Sequence, residues 1–181
     1  MIIPVDFANH MMNSVNGLNQ AGQGINILWN AICDYIDQNA VVSCAWAAVS
    51  SSVPPVTDPL TSVMGGINTA AGRSLDQYLV GIDQLTDCAS VLNMLSFAMN
   101  MATLQWMAIL PTEQGFTTSP GVAISPATIV LTPSNTTDTF TAFNKMGTDI
   151  INGLSAFSFL PSAGSHLGIF NGVGTYIPGI H

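Results

Sequence analysis

Residues 91–110 read VLNMLSFAMNMATLQWMAIL, twenty positions without an ionisable side chain. A helix of that length is enough to span a bilayer. Its polar residues argue otherwise: Ser90, Asn93, Ser96, Asn100 and Thr103 recur at three- and four-residue spacing and fall on one side of a helix. Lipid offers such a stripe no partner, whereas neighbouring helices do. The nearest basic residues are Arg73 and Lys145, so no charge bias orients the segment across a membrane. The preferred reading is a helix buried among other helices. Membrane insertion through Leu92, Leu95, Met99 and Trp106 is the competing one.

Upstream, Met64, Ile67, Ala71, Leu75, Ile82, Leu85, Ala89 and Leu92 continue the helical spacing. One long helix is therefore expected over about 60–110, ended by Pro111. Asp76, Asp83 and Asp87 fall on its outer face, which is read as solvated carboxylates rather than a cation site.

The N-terminal part shows a seven-residue rhythm. Met11, Leu18, Ile25 and Ile32, interleaved with Val15, Gly22, Trp29 and Ile36, form an a/d seam in a helix over about 6–38. These eight residues are the predicted interface. Gly17, Gly22 and Gly24 each weaken an isolated helix by about 1 kcal/mol relative to Ala, so a break at 22–24 is the alternative. A short helix is expected over about 40–50 (AVVSCAWAAVS), closed off by Pro54-Pro55 and Asp58-Pro59.

Downstream, residues 112–138 carry Pro120, Pro126 and Pro133 among many Thr and Ser. The β-prone runs 121–125 and 127–132 between them suggest two short edge strands or an extended arm, laid on a neighbouring subunit or left as a surface loop. A last helix is expected from Thr139 to about Phe159, capped by Asp138 or Thr139, with Phe143, Met146 or Gly147, Ile150, Leu154 and Phe157 as its apolar stripe. The tail carries Gly164, Gly168, Gly172, Gly174 and Gly179 between apolar residues and reads as an irregular strap.

The fold expected from these pieces is an all-α bundle of three to four helices with heptad-like faces. It comprises a helical domain over 1–111 (helices about 6–38, 40–50 and 60–110), a Pro/Ser/Thr-rich extended segment over 112–138, and a C-terminal helix with a Gly-rich tail over 139–181.

Composition narrows the function. Of 181 residues, 48% are hydrophobic and only 7% charged, where about 25% is usual. Two basic residues against ten acidic ones cannot neutralise several phosphates, which excludes nucleic acid as a partner. The same shortage excludes charge-driven attachment to anionic lipid. Asn, Gln, Ser and Thr take the place of ions, which suits surfaces that become buried against neighbours.

No nucleotide-binding, metalloprotease, hydrolase or CxxC motif is present. Cys33, Cys44 and Cys88 sit in apolar surroundings without metal or disulfide spacing, and His10, His166 and His181 have no acidic or thiol neighbour at ligand spacing. No catalytic residue, metal or cofactor is expected. The N-terminus shows no secretory signal pattern, and Asn135-Thr136-Thr137 is read as a chance glycosylation match.

The function expected is a non-enzymatic structural subunit, self-associating or joined to other subunits, with a virion or other extracellular particle favoured. A membrane-inserting pore element and a secreted helical effector are the alternatives.

Overall fold

The computed structural model describes residues 1–15, 24–49, 55, 57, 62–111, 116–166 and 170–181. It overturns the all-α expectation. Among the described residues, four helices, α1 (Pro4–Val15), α2 (Gly24–Asn39), α3 (Cys88–Thr103) and α4 (Thr139–Leu154), accompany an antiparallel sheet of seven strands. The strands are β1 (Val42–Val49), β2 (Ser62–Asn68), β3 (Met107–Ile109), β4 (Phe116–Thr118), β5 (Gly121–Val122), β6 (Ser162–His166) and β7 (Phe170–Tyr176).

Each expected element needs correction, the last helix only at its end: α4 stops at Leu154, short of the expected Phe159. The 6–38 helix is two helices, with residues 16–23 between them lying outside the described residues. The expected 40–50 helix is β1. The expected 60–110 helix is β2, three 3-10 turns (Ala70–Gly72, Asp76–Tyr78 and Ile82–Gln84), α3 and β3. The glycine-rich tail forms β6 and β7. Neither a helical bundle nor a coiled coil describes the molecule.

The strand order is β4-β6-β7-β1-β2-β3-β5, so the two outermost strands are consecutive in the chain, separated by Ser119 and Pro120. Their pairing shows how far the sheet curls. Phe116 pairs with His166 and Thr118 with Gly164, and the same register continues through an isolated bridge between Ala123 and Phe159. Backbone bonds from Leu160 N to Val122 O (2.7 Å) and from Ile124 N to Ser158 O (3.1 Å) complete that ladder. On its other side β5 pairs with β3 through Met107–Val122 and Ala108–Gly121. The sheet therefore curls back until its last strand bonds residues 158–160, the segment that leads into β6. Pro120 and Pro161 interrupt the ladder, as proline must where a strand N–H is needed.

Inside the curl lie Val42, Cys44, Trp46, Val63, Ile67, Ala108, Phe116, His166 and Tyr176, all buried. Glycines make room for the rings. A Cβ on Gly121 would lie 2.4 Å from the Tyr176 ring, and one on Gly174 would lie 2.6 Å from Cys44 Sγ and 3.1 Å from the Trp46 ring. Large and small residues thus alternate across the interior, as a narrow curled sheet requires.

The helices continue the same core. α1 lies against α2 and α4, with Phe7 edge-on to Tyr35 at 5.4 Å. Trp29 of α2 stacks on Trp106, and Trp106, Phe157, Phe159 and Tyr176 follow at centroid spacings of 6.3, 5.1 and 5.8 Å. This aromatic chain joins the helices to the sheet interior. Two of the caps are aspartates: Asp87 Oδ1 accepts from Ser90 N at the start of α3, and Asp138 Oδ2 from Thr141 N at the start of α4, both at 2.8 Å.

The polar stripe of α3 has a specific use. Residues 127–131 run extended along the helix with Ala127, Ile129 and Leu131 buried. Ala127 N donates to Thr103 Oγ1, Ile129 N to Asn100 Oδ1 and Leu131 N to Ser96 Oγ. The 112–138 segment is thus laid, over these residues, on its own chain.

Candidate interaction surface

The outward side of the curled sheet is built from the residues that alternate with the buried ones. On β1 these are Ser43, Ala45 and Ala47; on β2, Ser62, Met64 and Gly66; on β7, Val173 and Thr175. Ala163, Thr117, Ile109 and Val122 extend the face on β6, β4, β3 and β5. The register aligns them in rows. Ala163, Val173 and Ala47 are direct partners across three strands, as are Thr175, Ala45 and Ser62, and Ser43 faces Met64. Met64 is 67% exposed, Val173 47% and Val122 48%, with Ile124, Leu160 and Ile177 exposed beside them.

None of the seven strands contains Asp, Glu, Lys or Arg. The charged residues that are described all belong to helices, their caps or the 3-10 region. Arg73 bridges Asp34 (2.5 Å) and Asp37 (2.7 Å) of α2 and donates to Asn30 O, pinning the turn after β2 to that helix. Asp76 accepts from Asn26 Nδ2 at 2.6 Å. On α4, burial would raise the Asp149 carboxyl, but hydrogen bonds from Lys145 and Thr132 outweigh it and hold the group below its ordinary value. Among the described residues, charge is thus carried by the helical part, and the outward side chains of the strands carry none.

Comparisons with known protein families, curated proteins and solved structures found no match to this chain. The chemistry of the surface has to speak for itself.

Of the predicted interface residues, Met11, Trp29, Ile32 and Ile36 are fully buried in the chain's own core, and Ile25 is half-buried against it. Val15 ends α1, and Leu18 and Gly22 lie outside the described residues. In the 91–110 run, Leu95, Met99 and Trp106 are buried and Leu92 packs against the core. The membrane reading of this run is corrected: α3 stops at Thr103 and the chain enters β3 at Met107. Among the described residues no helix is long and apolar enough to cross a membrane.

The remaining chemistry is sparse. Among the described residues no three His, Cys, Asp or Glu side chains gather to hold a metal. Asp76, Asp83 and Asp87 lie on two 3-10 turns and a helix cap instead of a shared helix face. The ring of His10 sits 3.0 Å from Ala31 O and that of His166 stacks on Phe116. All three cysteines are free thiols, with Cys33 and Cys44 buried and Cys88 exposed. Among the described residues, an open crevice of about 190 Å³ lies beside β4, between Ile109 and Phe116, and another of similar size lies between α3 and α4 near Cys88.

Sequence reading missed the sheet exterior as a surface. The signal was present: residues 150–181 and 38–57 are as free of Asp, Glu, Lys and Arg as the 91–110 run, and these stretches supply β1, β6 and β7.

Proposed function

We propose that the chain is a non-enzymatic structural subunit of a larger assembly, in the class of virion components, packed through the uncharged exterior of its sheet. The observation that carries this reading is where charge lies among the described residues: ions on the helical part, none on any strand. Burying an ion against a neighbour costs several kcal/mol unless it is paired. Burying Ser, Thr, Ala, Val and Met costs little or is favourable. The abundance of uncharged polar residues across the chain agrees with a subunit most of whose surface meets other subunits.

Size-exclusion chromatography with light scattering in detergent-free buffer tests the reading. The expected result is a discrete multiple of 18.9 kDa that dissociates on dilution. A stable monomer at every concentration overturns it. Recovery of the chain in purified particles from its source tests the virion class, and its absence from them removes that part.

A further inference from the structure

We infer that the outward face of α3 is a docking site for a basic amphipathic helix of a different protein, seated on Met94, Phe97, Met101 and Leu104. The site is separate from the sheet exterior and goes beyond the assembly reading above.

α3 is amphipathic in an inverted sense. Its polar residues Ser96, Asn100 and Thr103 are spent on the backbone of residues 127–131, and Leu95, Ala98, Met99 and Ala102 fill the core beside them. Met94, Phe97, Met101 and Leu104 recur at three- and four-residue spacing on the side that remains. Phe97 is 55% exposed and the other three are half-buried. The row extends over about 15 Å, nearly three turns. Its two flanks are apolar as well. Gln105 donates to Tyr78 Oη on one side, two residues before the exposed Val80, and Asn100 donates to Ile129 O on the other, next to the exposed Val130. Single exposed apolar residues need no explanation, but a row at helical spacing marks a face with a partner. Met94 and Met101 are unbranched and polarisable, so they adapt to the side chains laid on them.

Charge selects the occupant. Arg73 is held by Asp34 and Asp37, and Lys145 by Asp149, and the sequence contains no other Lys or Arg. Asp83 and Asp87, both exposed just before and at the start of α3, therefore have no Lys or Arg counter-ion within the chain. Asp87 lies about two turns before Met94, near enough for its charge to be felt along the row. A helix that carries apolar residues at three- and four-residue spacing, flanked by Lys or Arg, meets both features at once. A second copy, at a net charge of −8, and an anionic lipid surface would each be repelled.

The test uses the intact chain and a labelled synthetic peptide of about four turns, with leucine and lysine placed to form one apolar and one basic helix face. A peptide of the same composition in scrambled order is the control, and fluorescence anisotropy reads the affinity. The ordered peptide should bind at least about tenfold more tightly than the scrambled one. Phe97→Gln and Met101→Gln, helix-compatible changes at accessible positions, should each weaken that binding at least about tenfold with unchanged thermal unfolding. Met64→Ser, on the sheet exterior, should bind like the parent. Asp83→Asn with Asp87→Asn, which keeps a capping side chain, should lower the affinity and flatten its dependence on salt. Equal binding of the two peptides, or parent-like binding by the α3 variants, overturns the inference. So does partition of the protein onto phosphatidylcholine vesicles that Phe97→Gln abolishes, since the face would then belong to lipid. None of these outcomes alters the mass of the chain on its own, so this inference and the assembly reading fail separately.

Discussion

Asn100 and Ile129 form a reciprocal pair: Asn100 Nδ2 donates to Ile129 O at 3.0 Å, and Asn100 Oδ1 accepts from Ile129 N at 2.9 Å. A helix side chain here does what a neighbouring strand would do, satisfying both backbone groups of an extended residue whose own side chain is buried. Replacing it with Asn100→Leu leaves both groups without partners, and stability should fall by about 2–3 kcal/mol, read as a lower urea midpoint with unchanged slope. A change below about 0.5 kcal/mol would mean that water takes over these bonds.

Gly153 of α4 tests the same packing by its sign. Helix propensity alone makes Gly→Ala favourable by about 1 kcal/mol. A Cβ at this position, however, would lie 2.4 Å from Ile129 Cα, against backbone that cannot step aside. Gly153→Ala should therefore destabilise the fold, measured by thermal unfolding. At Gly147→Ala the nearest atoms belong to the Phe7 side chain instead of backbone, and the change should cost less.

The three thiols should separate by accessibility. Cys88 is exposed at the start of α3, whereas Cys33 and Cys44 are buried. Native protein should react at once with a single equivalent of an aromatic disulfide reagent, and unfolded protein with three. Fast modification of Cys33 or Cys44 in the native state would contradict the packing of α2 and β1.

Those buried thiols also set the alkaline limit. Burial pushes Cys33 from 9.0 up to about 12 and Cys44 from 9.0 up to about 11. The fold holds both protons, and the unfolded chain releases them first. Stability is therefore complete below pH 9 and declines as pH rises from 9 through 11–12, by about 1.4 kcal/mol per pH unit for each thiol while it lasts. Burial raises Tyr35 and Tyr176 as well, which steepens the decline above pH 10. Cys33→Ala should flatten the slope of stability against pH between 9 and 12, whatever its effect on absolute stability.

The helices were legible where their signals are local. Asp138 marks the start of α4, whose expected end near Phe159 overshoots because Phe157 is buried by the aromatic chain beyond the helix, which stops at Leu154. The polar stripe Ser96, Asn100 and Thr103 identifies a helix face with partners to satisfy. The strands were not legible, because sequence reveals a strand through contrast between its two sides. On β1 the outward residues are Ser43, Ala45 and Ala47, too bland against Val42, Cys44 and Trp46 to show a period of two. On β7 the contrast is inverted: Gly174 points inward because the Trp46 ring and Cys44 fill its place, and Val173 points out. A glycine-rich apolar tail then reads as irregular. The rhythm of Met11, Trp29, Ile32 and Ile36 reports true burial, but in two helices of one core.

The central claim is that the sheet exterior is the surface covered on assembly, and methionine oxidation reads it most directly. Met64 stands on that face at 67% exposure, and Met1, at 78%, lies beside α2, where its amino group donates to Asn39 O. With limiting peroxide followed by mass spectrometry, both should oxidise readily in dilute, dissociated protein. In assembled protein the account predicts that Met64 becomes protected while Met1 does not. Equal oxidation of the two in the assembled state would place the contact elsewhere and contradict it.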